Sequence, residues 1–333
     1  MKKWNLKAHT STIADLSFEE SAIPEPKAGQ VRIKVHAVSL NARDIMVIEH
    51  GFMRNPEIDL IPSSDMSGII DAIGDGVTEW KEGDHVVNLH FKGWDDGAMP
   101  ATAGGGLGSL EENGVLAEYI ILHANRVALA PKGWSHEDAS CLPCAAVTAW
   151  NALMGTNPIT KNDNVLVIGT GGVATTAAMI ARGAGANVSV LVRSDMSAEQ
   201  VAKMGIHTVV NSNEAENWGA EILEKTGGVS KVVNTIGFSA VNNALDACGY
   251  GGEVALIGLR DQAGPSLGYN IFGKSIRGIT VGSGKMYLDL KHQLEHSGEK
   301  PVIDKQFAFA NAKDAFNALK ESGIFGKIVI QVV

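Results

Sequence analysis

The sequence predicts an α/β protein in which a doubly wound parallel sheet is joined to a smaller, discontinuous β-barrel domain. Three observations carry this expectation. The first third holds short strands parted by glycine-containing turns, the middle alternates strands with helices, and a glycine-rich turn joins the first middle strand to its helix. Short strands with tight turns suit a barrel, whereas β-branched runs alternating with helices suit a parallel sheet covered on both faces. The 333 residues are enough for about two domains with full cores.

Along the first third, Val31 to Val38 alternates apolar with polar or charged positions, the period-two pattern of a half-buried strand. Ser67 to Ile73 is a second strand, closed by Gly74-Asp75-Gly76. His85 to Val87 follows a turn, and Leu116 to Leu122 is a further strand. Residues 98–114 are glycine-rich and poor in large apolar side chains, so they read as a mobile loop, either a surface excursion or a flap near a cleft.

The rhythm then changes. Ser135 to Leu153 reads as one helix, with Ser135 as N-cap and Glu137 and Asp138 in the first turn. Strands are expected at 165–168, 188–192, 208–210, 231–233, 253–257 and 279–281. Helices are expected at 173–184, 198–204, 217–226 and 240–247. The last 50 residues leave this pattern: 288–295 and 312–322 look helical, and 328–333 is a strand that can return to the first domain.

Composition excludes several classes. A net charge of −9 provides no basic field for a nucleic-acid backbone. Three cysteines make no disulfide scaffold and suit a reducing compartment. The N-terminus lacks the apolar stretch of a signal peptide, and no run of about 18 apolar residues is present. A cytoplasmic protein without membrane or nucleic-acid partners is the expectation. The 38 glycines, about 11% of the chain, exceed the usual share of about 7% without a collagen period.

The strongest chemical signal follows the strand at 165–168. Gly169, Gly171 and Ala174 fit G-x-G-x-x-G/A, and Gly172 and Val173 open the next helix. The first glycine permits the turn, the second lets backbone approach a pyrophosphate, and the helix N-terminus supplies unpaired amides and a positive dipole end. After the second strand stands Arg193-Ser194-Asp195, where an NAD site wants an acidic residue. Arg193 can pair with a 2′-phosphate and Ser194 can donate to it, while Asp195 comes late for a ribose. NADP(H) is the expected cofactor. Cys141-x-x-Cys144 has no second cysteine pair, so helix packing is a simpler reading than metal.

Several stretches resemble the medium-chain dehydrogenase/reductase superfamily: residues 38–44, 62–68, 113–119 and 142–150, the glycine fingerprint, and 325–330. The resemblance covers essentially the whole chain and lies nearest the zinc-independent, quinone-oxidoreductase-like branch. It implies a Rossmann domain over 126–283 and a discontinuous GroES-like catalytic domain over 1–125 and 284–333. Where zinc alcohol dehydrogenases of this superfamily place a cysteine ligand the chain has Asn41, and where they have Gly-His-Glu it has Ser63-Ser64-Asp65. Only Cys144 matches a ligand position, so no metal is expected.

The resemblance further implies Asn41, Arg43, Asp44, Ser64 and Asp65 facing the catalytic cleft. Asp44 and Asp65 are equally readable as structural acceptors at turns. It places Thr148 by the nicotinamide, Gly237 and Gly258 against the cofactor, and Lys327 near the pyrophosphate. A tyrosine acid found in many relatives is replaced by the His50-Gly51-Phe52 region, which leaves His50 and His90 as minor candidates. The expected function is NADPH-dependent hydride transfer to a quinone or α,β-unsaturated carbonyl, in a homodimer. The alternatives are a zinc-free alcohol or aldehyde oxidoreductase and an NADPH-binding sensor or structural protein without turnover.

Overall fold

A computed structural model describes residues 1–110, 112–215, 217–258, 266–321 and 323–333. Ser322, at the end of the last expected helix, and Glu111, within the expected loop, lie outside them. The chain divides into one unit of Met1–Val147 with Gly282–Val333 and a second of Thr148–Val281. Among the described residues no helix is long and apolar enough to cross a membrane.

The first unit opens with β1 (Lys2–Asn5) paired antiparallel to β2 (Ser17–Glu20). Sequence reading missed both, because neither shows apolar alternation. The strand β3 (Gln30–Ser39) does alternate: Val31, Ile33, Val35 and Ala37 are fully buried. Burying each of the three larger side chains contributes about 1.5–3 kcal/mol. Next come α1 (Ala42–His50), β4 (Asp65–Ile73), β5 (His85–Asn88), β6 (Tyr119–His123) and β7 (Val127–Leu129). Helix α2 (His136–Ser140) starts at Ser135, whose Oγ accepts from the Asp138 amide at 3.1 Å.

The single expected helix over 135–153 is broken by a π-helical turn at Leu142–Ala146. Pro143, inside that turn, has no amide to donate, and the wider turn accommodates the missing hydrogen bond. The helix then resumes as α3 (Val147–Met154). Residues 126–147, expected with the nucleotide domain, belong to the first unit. The reason is pairing: β7 bonds to β5, and α2 packs on β3 and β4.

The second unit contains β8 (Asn164–Ile168), α4 (Gly172–Gly183), β9 (Asn187–Val192), α5 (Asp195–Lys203), β10 (Thr208–Asn211), α6 (Trp218–Thr226), β11 (Val229–Asn234), α7 (Val241–Ala247), β12 (Cys248–Leu256) and β13 (Ser275–Gly278). Its six strands are parallel in the order β10-β9-β8-β11-β12-β13, the doubly wound order. The last strand lies at 275–278 rather than 279–281. Val281 sits at φ 41° and leaves the extended conformation, its carbonyl taken by Asn151 Nδ2 at 2.8 Å.

The chain then returns to the first unit with α8 (Gly284–Ser297), β14 (Ile303–Ala308), α9 (Ala312–Lys320) and β15 (Lys327–Gln331). The strand β15 pairs antiparallel with β3, so the barrel sheet runs β14-β15-β3-β4-β5-β7, with β6 also paired to β3. The chain is an α/β protein with a mostly antiparallel barrel sheet in the first unit and a doubly wound parallel sheet in the second.

Candidate functional site

In the second unit, the fingerprint turn has the local chemistry of a phosphate cradle. Gly169 has φ 98°, which few residues other than glycine adopt. Its amide donates to Leu191 O at 2.9 Å, tying the end of β8 to the end of β9. Gly171 is the N-cap of α4 and has no side chain to cap it, so the first amides, including those of Gly172 and Val173, are not capped by a side chain. These residues fit a dinucleotide phosphate.

Arg193 is exposed just beyond β9. Ser194 is the N-cap of α5: its Oγ accepts from the Ser197 amide at 3.2 Å and bonds Ser197 Oγ at 3.0 Å. Its hydroxyl is therefore already engaged as a cap. Asp195 accepts from Asn211 Nδ2 at 3.3 Å. Thr148 is buried near the start of α3. Gly237 has φ 141°, open chiefly to glycine, and its amide donates to Asn234 Oδ1 at 3.1 Å. A Cβ on Gly258 would lie 2.2 Å from the Ile236 backbone, so glycine is required there by strand-end packing.

In the first unit, the expected catalytic residues come together. Asn41 is the N-cap of α1, and its amide donates to Asp44 Oδ2 at 2.8 Å, so Asp44 is a capping acceptor. Arg43 donates to Gly105 O at 3.1 Å and Leu107 O at 3.0 Å, and lies 3.6 Å from Asp44 Oδ1. The 98–114 loop is thus pinned against the barrel at its centre, with Leu107 and Ser109 buried. Burial pushes the Asp44 carboxyl up to about 6, opposed by Arg43.

A directed hydrogen-bond chain runs through the cluster. Lys327 Nζ donates to Leu40 O and Asn41 Oδ1, Asn41 Nδ2 donates to Ser64 Oγ at 3.4 Å, and Ser64 Oγ donates to Asp65 Oδ1 at 2.7 Å. The Cys144 amide donates to Asp65 Oδ2 at 3.0 Å. Lys327, which the resemblance puts near the pyrophosphate, has its ammonium buried at the start of β15 and engaged by Leu40 O and Asn41 Oδ1. Asp65 is fully buried, and burial raises its carboxyl above the usual range against the pull of Lys327, Asn41, Ser64 and the Cys144 amide.

Sequence reasoning treated His90 only as a minor acid candidate and missed its place in this cluster. It follows β5, and its Nδ1 lies 4.0 Å from Asp65 Oδ1. Asp65 Oδ1, His90 and the Cys144 thiol have ligand-type atoms within 4.8 Å of one another, all buried. Burial, with Arg43 and Arg126, holds His90 well below the usual imidazole range, so the ring is neutral. Burial pushes the Cys144 thiol up to about 12, and Asp65 adds to the shift. His90 also lines a narrow cleft with Phe91, Trp94, Pro143 and Tyr287. His50 ends α1 and joins none of these contacts among the described residues. The only signal in the sequence for His90 was a lone histidine after a strand, 25 positions from Asp65.

Comparison with known proteins identifies the family. Residues 27–132 match the alcohol dehydrogenase GroES-like domain, and residues 172–295 match the zinc-binding dehydrogenase model. The chain is 33% identical over 330 residues to a zinc-type alcohol dehydrogenase-like protein of Schizosaccharomyces pombe, covering 95% of each. It is 27% identical over 319 residues to the quinone oxidoreductase of Rattus norvegicus, covering 92% of this chain and 91% of that one. A solved structure from Sinorhizobium meliloti 1021, described as a candidate alcohol dehydrogenase, superposes with a TM-score of 0.92 at 33% identity over all of both chains.

Proposed function

Because the chain belongs to the medium-chain dehydrogenase/reductase superfamily, we propose that this oxidoreductase uses NADP(H) to reduce a quinone or an α,β-unsaturated carbonyl. The observation that carries the reading is the Lys327–Asn41–Ser64–Asp65 chain. Asn41 and Ser64 stand where the resemblance to zinc alcohol dehydrogenases puts a cysteine and a histidine ligand, and they are hydrogen-bonding groups instead. Asn41 has a second Nδ2 proton besides the one given to Ser64, and a neutral donor suits a carbonyl oxygen that gains electron density more than an alcohol that must first be ionised.

Bound nicotinamide supplies the hydride, and the protein's residues supply position and polarity. Gly169, Gly171, Gly172 and Val173 would hold the pyrophosphate at the α4 N-terminus, and Arg193 would hold the 2′-phosphate. Thr148, Gly237 and Gly258 would line the nicotinamide half, as the resemblance implies. In the first unit, Lys327 orients Asn41, Asn41 bonds Ser64, and Asp65 holds the Ser64 proton at its own oxygen. Arg43 fixes the 105–107 loop, and Asp44 caps α1 beside it.

A second reading, an alcohol or aldehyde oxidoreductase, is favoured by the Asp65–His90–Cys144 cluster. An acceptor panel separates the two. NADPH oxidation is expected with quinones and enones and not with simple aldehydes. Turnover of simple alcohols or aldehydes alone favours the second reading, and NADPH binding without any turnover removes both.

The resemblance also supports a homodimer formed through the cofactor domains. The edge strand β13 and the exposed aromatic residues beside it provide a surface for a second copy.

A further inference from the structure

The second unit has another concave site, at the end of its sheet opposite the fingerprint turn. A cavity of about 260 Å³ lies at the amino ends of β8, β11 and β12, bordered by Pro158, Ile159, Asp163, Ser230, Lys231 and Glu253. Doubly wound sheets take their nucleotide at the carboxyl ends of the strands. The five residues of β8, about 17 Å of extended chain, separate Asp163 from Gly169. The cavity is therefore distinct from the dinucleotide turn.

Its buried charges are unevenly satisfied. Lys231 is 2% exposed and Glu253 4%. Lys231 Nζ donates to Glu253 Oε1 and to Thr156 O, each at 2.9 Å, and Arg277 Nε donates to the same Oε1 at 3.1 Å. The other Arg277 nitrogens go to Asn151 and to Ala152 O, near the end of α3. Both cations thus serve one oxygen of the carboxylate. The other oxygen, Oε2, has no hydrogen-bond partner among the described residues, although Glu253 borders the cavity. A buried carboxylate oxygen without a donor is costly unless the cavity's occupant supplies one. Asp163 is a second acceptor on this cavity. Burial acts to raise its carboxyl, but hydrogen bonds from Ser230 and Thr160 and the charge of Lys231 hold it below the usual range, so it is ionised at neutral pH.

We infer that this cavity binds a small organic cation that carries a primary ammonium group on a short carbon chain. The open capacity is acceptor capacity, and an ammonium offers three donors and no acceptor. A charged donor to a carboxylate makes a stronger bond than a neutral one. Lys231 and Arg277 are turned to Oε1 and to backbone carbonyls, and the C-terminal end of α3 adds a negative dipole end beside them. Glu253 Oε2 and Asp163 then receive the ligand's N–H groups, while Pro158 and Ile159 give its carbon chain an apolar wall.

The test is calorimetric titration of the full chain with propylammonium chloride at pH 7 and constant ionic strength. One site with a millimolar or tighter Kd is expected. Tetramethylammonium, which has the same charge but no N–H, and propionate, which would need Lys231 as its partner, are expected not to bind. Asp163→Asn and Glu253→Gln are each expected to weaken propylammonium at least about tenfold. Thermal melts check that each variant is folded. If Glu253→Gln is not, Asp163→Asn decides together with the comparison of the two ammonium ions. The propylammonium Kd is expected to be the same with and without NADPH, and no arm requires turnover. No propylammonium binding to the folded wild type overturns the site. So does equal binding of tetramethylammonium or propionate, full affinity in the folded variants, or displacement by NADPH.

Discussion

One exposed guanidinium carries the proposed cofactor preference. The Gly169 amide bonds Leu191 O at 2.9 Å, so the end of β9 lies against the phosphate turn, and Arg193 is two residues beyond that bond. Its neighbours are already engaged, Ser194 as the α5 cap and Asp195 with Asn211. A charged hydrogen bond to a 2′-phosphate is worth about 1.5–3 kcal/mol. Arg193→Ala is therefore expected to raise the NADPH Kd roughly ten- to a hundredfold and leave the NADH Kd within about twofold, read by nicotinamide fluorescence. Equal losses for both cofactors would sink the assignment. The glycine turn stood out because strand, turn and helix follow one another directly in the chain, and Arg193 because it ends the next strand. The barrel cluster was only half legible. Asn41, Ser64 and Asp65 stood out through resemblance, but His90 and the Asn41 bond of Lys327 depend on pairings across 25 and 286 positions, which no local pattern encodes.

Helix α2 is held on the barrel by an imidazole stack that sequence periodicity did not reveal. The His136 ring stacks on His36 of β3 at 4.1 Å and lies 4.1 Å from His85 of β5. Ser67 Oγ on β4 bonds His85 Nε2 at 2.7 Å and His136 Nδ1 at 3.0 Å. Burial, then His85 and His36, lowers His136 to about 4; Glu137 opposes the shift. Burial and Lys34 lower His36, again against Glu137, and burial and His36 lower His85. The sign follows from linkage. Unfolded histidines take up protons below about pH 6.5, whereas the folded stack stays neutral until lower pH, so stability is full above that value and falls as pH drops toward 4. For His136 the loss is at most roughly 3 kcal/mol. Calorimetric melts between pH 7 and 4.5 are expected to show a steeper fall in Tm for the wild type than for His136→Phe, which keeps an aromatic ring in the stack. Parallel slopes would remove the stack from the acid response. Elements with a strong local period, such as β3 and the β8–α4 unit, were legible, and so was the Ser135 cap. The π turn, β1, β2 and the shift of β13 to 275–278 were not, because Pro143, short charged strands and the turn at Val281 override local preference.

At the scale of the whole molecule, the second unit leaves one sheet edge open. Among the described residues β13 ends the six-stranded sheet, with its outer backbone groups unpaired by a seventh strand. Beside it, Tyr250 is 95% exposed, Tyr269 91% and Phe272 69%. The Tyr269 and Phe272 rings stack at 6.0 Å, and a Cβ on Gly273 would touch the Tyr250 ring at 2.8 Å, so the three aromatics gather around the approach to β13. An open edge is a template for another strand, and a cluster of exposed aromatics marks an interaction surface. A twofold axis beside β13 would pair two copies of the same strand and bury both aromatic sets in one closed, self-complementary interface. A homodimer at micromolar concentration is the expected result of sedimentation equilibrium. The double variant Tyr250→Asp/Phe272→Asp places two charges per chain in that interface and is expected to shift the protein to monomer, while each chain still binds NADPH at the α4 N-terminus. A monomeric wild type, or a variant that sediments unchanged as a dimer, would remove this edge as the interface.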